Sequence, residues 1–128
     1  MSDTESDGRG VGLRLIRFDQ AAPYQPSGHR GVLNRLLAGR GEGGVGQVSI
    51  WHGRVEPGGG AEPHIHERSL QIYVGMIGEL VVSSGAGEEE YTLGPGDAIL
   101  IPAGTGHDLK NNGETVATLL VVSSPALR

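Results

Sequence analysis

Glycine most constrains what this chain can fold into. Twenty-three glycines fall singly or in small clusters between short apolar runs. Each glycine inside a helix costs about 1 kcal/mol relative to alanine, whereas tight turns favour it. No amphipathic helix of useful length is visible, and the apolar runs alternate like half-buried strands. Strands are expected over Val11–Phe18, Gly31–Ala38, Gln47–Val55, Ser69–Met76, Glu79–Ser84, Glu90–Leu93, Asp97–Ile101, His107–Lys110 and Thr115–Val122. Pro63–His66 reads as a short extended piece, and Pro57–Ala61 as a break after the third strand. Loops are expected over Ala21–Arg30 and Gly39–Gly46, and turns at Ser84–Gly87, Gly94–Gly96 and Asn111–Gly113. Short strands at regular spacing mean an all-β sandwich or barrel. Residues 11–128 read as one domain behind a polar, disordered tail of residues 1–10.

Charge and composition exclude several functions. The formal net charge is -5, the arginines are scattered and Lys110 is the only lysine, so no basic stripe for nucleic acid exists. No apolar run is long enough to cross a bilayer. The start, MSDTESDGRG, lacks the basic and apolar parts of a secretory signal, which makes the cytoplasm the expected location. With no cysteine there is no disulfide, thiolate metal site or thiol nucleophile.

Chemistry concentrates on histidine. His64 and His66 lie two apart in an extended segment, so both imidazoles share a face and can meet one metal ion. Surface histidines on an edge strand are the alternative for an isolated His-x-His. Gln71 lies on the next strand, where a bend near Glu67–Ser69 lets it reach the same interior. His107 follows a Pro-x-Gly turn that brings a distant strand back over the barrel.

Two segments resemble the paired motifs of the cupin family. GGGAEPHIHERSLQIYVGMIG, from Gly58 to Gly78, is similar to the first motif. GDAILIPAGTGHDLKN, from Gly96 to Asn111, is similar to the second, with Gly96, Pro102, Gly104, His107 and Asn111 all at the family spacing. The resemblance implies a double-stranded β-helix, or jelly-roll barrel, of the small single-domain type. It also implies that His64, His66 and His107 ligate a divalent metal. The family's glutamate position holds Gln71 here, and six residues separate it from Gly78 as expected, so it is a substitution. Glu67 is adjacent to His66 and points to the other face, while Glu62 has the right parity but precedes the motif.

Two readings of Gln71 stand at this stage: a fourth ligand through its amide oxygen, or a hydrogen-bonding residue beside a three-histidine site. A neutral ligand set leaves the full dipositive charge on the ion. That strengthens its Lewis acidity and lowers the pKa of a bound water or enol. Zn, Ni, Mn, Fe or Co all suit nitrogen and oxygen donors. Tyr73 shares the parity of Gln71 and is the candidate proton donor; the alternative is a tyrosine at the barrel mouth with its hydroxyl in water.

The favoured function is a metal-dependent, non-redox enzyme of isomerase, lyase or cyclase type acting on a small carbonyl, enol or hydroxy-acid molecule. Small cupins with this donor pattern include enzymes that process uronate sugars, and others are polyketide cyclases. A metal-dependent dioxygenase and a non-catalytic small-molecule-binding module are the alternatives. No nucleic-acid or membrane partner is expected, and the resemblance implies a homodimer, supported by the apolar strand Thr115–Val122. Trp51 is expected in the core, with His52 on the opposite face; Met76 is expected to pack, and Arg54 and Arg68 to be solvated. Asp108 should point outward, Glu88–Glu90 should form a solvated strand start, and Asn111 should cap the turn at Asn112–Gly113. His29 lies in a proline-rich loop positioned to fold over the barrel opening.

Overall fold

A computed structural model describes residues 12–40, 46–84 and 89–127. Its strands are β1 (Pro23–Tyr24), β2 (His29–Ala38), β3 (Ser49–His64), β4 (Leu70–Ile77), β5 (Leu80–Ser84), β6 (Glu90–Leu93), β7 (Ala98–Ile101), β8 (His107–Lys110) and β9 (Ala117–Ser124). Neighbours run β6-β5-β8-β3-β9-β4-β7, every pair antiparallel, with β2 along the other edge of β3 and β1 beside β2. The sheet curls into a nearly closed jelly-roll barrel, as the all-β reading requires.

β3 organises the barrel. Residues 49–55 pair with β9 and residues 60–64 pair with β8, while β2 follows nearly its whole length. The expected break at Pro57–Ala61 is therefore corrected, because the strand runs straight through it. Its glycines permit close approach. A Cβ on Gly60 would sit 2.0 Å from the Leu109 carbonyl oxygen, and one on Gly59 would sit 2.6 Å from that of Arg30. Bare backbone at these positions lets three strands converge on the end of the barrel that carries His64.

The expected first strand is also corrected. Val11 lies outside the described residues, residues 12–17 join no strand, and Phe18 opens a 3-10 turn through Gln20. Alternation marks two faces, but a strand also needs an edge to bond to, and none meets this segment. Leu13 and Leu15 are solvent-exposed. Phe18 instead packs edge-on against His52, with Arg35 over its ring. Of the Ser84–Gly87 turn only Ser84 is described, and Glu88 is likewise outside the described residues; Glu89 and Glu90 are exposed.

Inward positions on neighbouring strands fill one core containing Val55, Leu80, Val82, Leu93, Leu109, Ala117 and Leu119. Asn111 is buried against it. Its amide nitrogen donates to the carbonyls of Val55 and Thr115, and its oxygen accepts from Gly113 N–H, which caps the expected turn. Met76 is exposed, not packed, because even-numbered β4 residues face outward. Asp108 is buried instead of solvated, since Ser83 donates to it through both its hydroxyl and its backbone N–H. β9 lies between β3 and β4 with both edges paired, so pairing of two copies would use another edge or face. Among the described residues, no helix is long and apolar enough to cross a membrane.

Candidate metal centre

The end of β3 and the start of β8 create the site. His64 and His107 are directly opposite in the strand register, and their ring centroids are 4.3 Å apart. His66, just past β3, has its ring 4.9 Å from His64 and 5.7 Å from His107. One nitrogen from each of the three lies within 4.8 Å of the others. The two motifs are also joined through the backbone, because Gly104 N–H donates to the His66 carbonyl at 2.9 Å. Gly104 has a φ of +80°, a conformation that favours glycine and turns the chain back toward His107.

Hydrogen bonds fix which nitrogen of two rings faces inward. Nδ1 of His64 donates to the Glu62 carbonyl at 2.7 Å, and Nδ1 of His107 donates to the Thr105 carbonyl at 2.9 Å. A carbonyl only accepts, so Nδ1 carries the proton and Nε2 presents its lone pair. The backbone thus fixes each ring's orientation as it does for metal-binding histidines.

Gln71 completes the cluster. It is 3% exposed, its amide nitrogen donates to Ser123 Oγ at 3.0 Å, and its oxygen lies 3.1 Å from Nε2 of His107. In this arrangement two acceptor atoms face each other. A cation or an extra proton between them relieves the repulsion, so the donor chemistry fits a divalent ion held by His64, His66 and His107, with Gln71 in reach. Burial favours the neutral, ligating form of His66 and His107. Desolvation, then the charges of His64, His107 and His29, lowers the His66 pKa to about 4. Desolvation also lowers that of His107.

Tyr73 lies on the inward face of β4, buried, with its ring 5.8 Å from that of His107. Burial, and then the nearby Asp108 charge, raises its pKa, so the phenol keeps its proton at neutral pH. Its ring is enclosed, unlike a tyrosine standing in open water at the mouth. His29 opens β2 with its ring 5.9 Å from His64 and its Nδ1 donating to the Ser27 carbonyl. Its pKa is lowered, chiefly by burial. The loop expected over Ala21–Arg30 is thus corrected at its end, since His29 and Arg30 belong to β2. Arg54 and Arg68 are exposed, Arg54 paired with Glu56.

His29, His64, His66, Gln71 and Tyr73 border a cavity of about 420 Å³ that also receives Trp51, Tyr24 and Asn34. Trp51 is buried yet forms part of the cavity wall, and Tyr24 stands beside it, 5.4 Å between centroids. Ser123, Tyr24 and Asn34 were not singled out from sequence. The inward parity of Ser123 on β9 was a usable signal, but its pairing with Gln71 spans 52 residues.

The family model describing the cupin domain matches residues 51–123. The chain belongs to the cupin family. Oxalate oxidase GF-2.8 of Triticum aestivum is 36% identical to this cupin over 86 residues, covering 61% of this chain and 38% of that protein. The match therefore spans well under half of that relative's length. The polyketide cyclase RemF from Streptomyces resistomycificus superposes with a TM-score of 0.76 at 21% identity, over 88% of this chain and 79% of that one, a likeness of fold. A cupin sugar phosphate isomerase from Silicibacter pomeroyi gives a TM-score of 0.74 at 27% identity, over 88% of this cupin and 75% of that chain.

Proposed function

We propose that this cupin is a metal-dependent, non-redox enzyme of isomerase, lyase or cyclase type, acting on a small carbonyl, enol or hydroxy-acid molecule. The observation that carries the proposal is the neutral donor set: three imidazoles, two with Nδ1 held by backbone carbonyls, and the Gln71 amide where the family pattern has a carboxylate. When bound, the ion supplies Lewis acidity toward a carbonyl or enol oxygen. His64, His66 and His107 would hold it, and Gln71 would offer an oxygen donor without cancelling charge. Tyr73, protonated beside His107, donates a proton to the substrate and takes it back.

A metal-dependent dioxygenase is the second reading, and the likeness to oxalate oxidase supports its use of oxygen, though not dioxygenation itself. The amide at position 71 argues against it, because it removes the carboxylate available as a base.

Elemental analysis of metal-loaded protein should give one ion per chain. Gln71→Glu should bind that ion at least tenfold tighter, a gain of about 1.4 kcal/mol, and turn over candidate substrates more slowly. Oxygen consumption with an unreactive Lewis-acid panel would shift the assignment to the second reading. Tight ligand binding without turnover would make the chain a binding module. Failure to take up metal would overturn the proposal.

A further inference from the structure

The turn between β8 and β9 carries a chemically reactive pair. Asn112 is followed by Gly113 and both are exposed, while Asn111 before them is buried. The side-chain carbonyl of an asparagine lies within reach of the next residue's backbone nitrogen, and their union closes a small, unstrained ring. Glycine in the next position hinders that approach least, and asparagines that lose their amide this way are thermolabile. The step balances without a cofactor. The Gly113 nitrogen gives up its proton and bonds to Cγ of Asn112, the Cγ–Nδ2 bond breaks, and the amide leaves with that proton as ammonia. Water then opens the succinimide at either carbonyl, giving aspartate or isoaspartate.

The fold restrains that step at the nucleophile. The Gly113 N–H must be free to lose its proton, and here it donates to Asn111 Oδ1 at 2.9 Å. Asn111 cannot turn away. Its amide nitrogen donates to the carbonyls of Val55 at 3.0 Å and Thr115 at 2.9 Å, so both amide hydrogens are used and the oxygen faces Gly113. Its backbone is held as well, donating to the Gly59 carbonyl and accepting from Gly58 N–H, each at 2.9 Å. Asn112 itself lines the groove that also holds Arg30 and Lys110. A carboxylate formed there gains cations nearby and adds one negative charge to a formal -5.

We propose that Asn112 is a site of spontaneous deamidation and that Asn111 is its gate. While the Asn111 oxygen holds the Gly113 N–H, the amide survives; when the β8–β9 turn opens, conversion proceeds. Isoaspartate lengthens the main chain between Asn111 and Gly113, so the bond that closed the turn does not reform. The modification therefore records how often this turn has opened.

The full chain is kept in mildly alkaline buffer, folded and in urea, and peptide mapping follows the mass gain and isoaspartate content at residue 112. The unfolded chain should convert at least tenfold faster than the folded one. Gly113→Ala should slow conversion at least tenfold even in urea; its added Cβ would lie 3.4 Å from Asn111 Oδ1, and no left-handed φ opposes it. Two further variants separate the gate from general loosening. Asn111→Ala removes the acceptor, whereas Asn111→Asp loses the two donated bonds but keeps an oxygen for Gly113. Compared at equal folded fraction, Asn111→Ala should convert several-fold faster than Asn111→Asp. No conversion at residue 112 in urea overturns the site. Folded protein converting as fast as unfolded, or equal rates in the two Asn111 variants, overturns the gate.

Discussion

Single side chains divide here into those that hold the site and those that hold the chain around it. Asn111 belongs to the second group: it is 1% exposed and makes three hydrogen bonds with backbone of Val55, Gly113 and Thr115. Asn111→Ala strands buried polar groups, which costs about 2–4 kcal/mol. Thermal unfolding should drop by roughly 10 °C, while metal uptake by the folded fraction stays at one ion per chain. An unchanged midpoint would mean that water replaces the lost amide. At this scale the sequence was most legible: the motif spacing singled out His64, His66, Gln71 and His107, and all four cluster. Ser123 and Tyr24 escaped notice because nothing local marks them; they acquire meaning from strands distant in the chain.

Strands carry a different lesson. Proline and glycines at Pro57–Gly60 read as a stop, yet they are the middle of β3. Composition alone cannot distinguish a turn from a place where backbones must nearly touch. The alternation from Val11 to Phe18 misled in the opposite direction, since period-two patterning exists without a partner edge. The glycine argument makes an element-level prediction. Gly60→Ala forces the Leu109 carbonyl away and opens the β3–β8 register that sets His64 opposite His107. Its urea midpoint should fall by the equivalent of about 2 kcal/mol or more, and metal affinity should fall with it. Gly58→Ala is the control: nothing lies within 4 Å of its added Cβ, and only its φ of +80° resists. That substitution should cost about 1 kcal/mol and leave metal affinity unchanged.

For the whole molecule, four histidines shift together. Burial leads the lowering at His29, His52, His66 and His107, with His66 reaching about 4 from an ordinary 6.5. Between those values the unfolded chain binds more protons than the folded one, so stability is full above about pH 6.5 and declines as pH falls toward 4. Solvent screening at the partly exposed rings of His29, His52 and His66 softens the slope. Metal-free protein should therefore have a lower urea midpoint at pH 5 than at pH 7.5, and bound metal should steepen the difference, because protons compete for the same nitrogens. A midpoint that rises on acidification would contradict neutral, buried imidazoles. The barrel and the strands from β2 to β9 were legible from turn spacing, whereas β1 lies in the expected loop Ala21–Arg30. The order of strands was not legible, since β3 finds β9 across more than half of the chain, and pairing over such distances leaves no local trace.

That order has a consequence in time. β3 and β4 leave the ribosome long before β9, and each keeps an unpaired edge until β9 arrives and slides between them. Until residues 117–124 are made, the edges of β3 and β4 that β9 will pair are open to other strands. Synthesis of the last strand both closes the wall and brings Ser123 to Gln71, so the metal pocket is among the last things the nascent protein finishes.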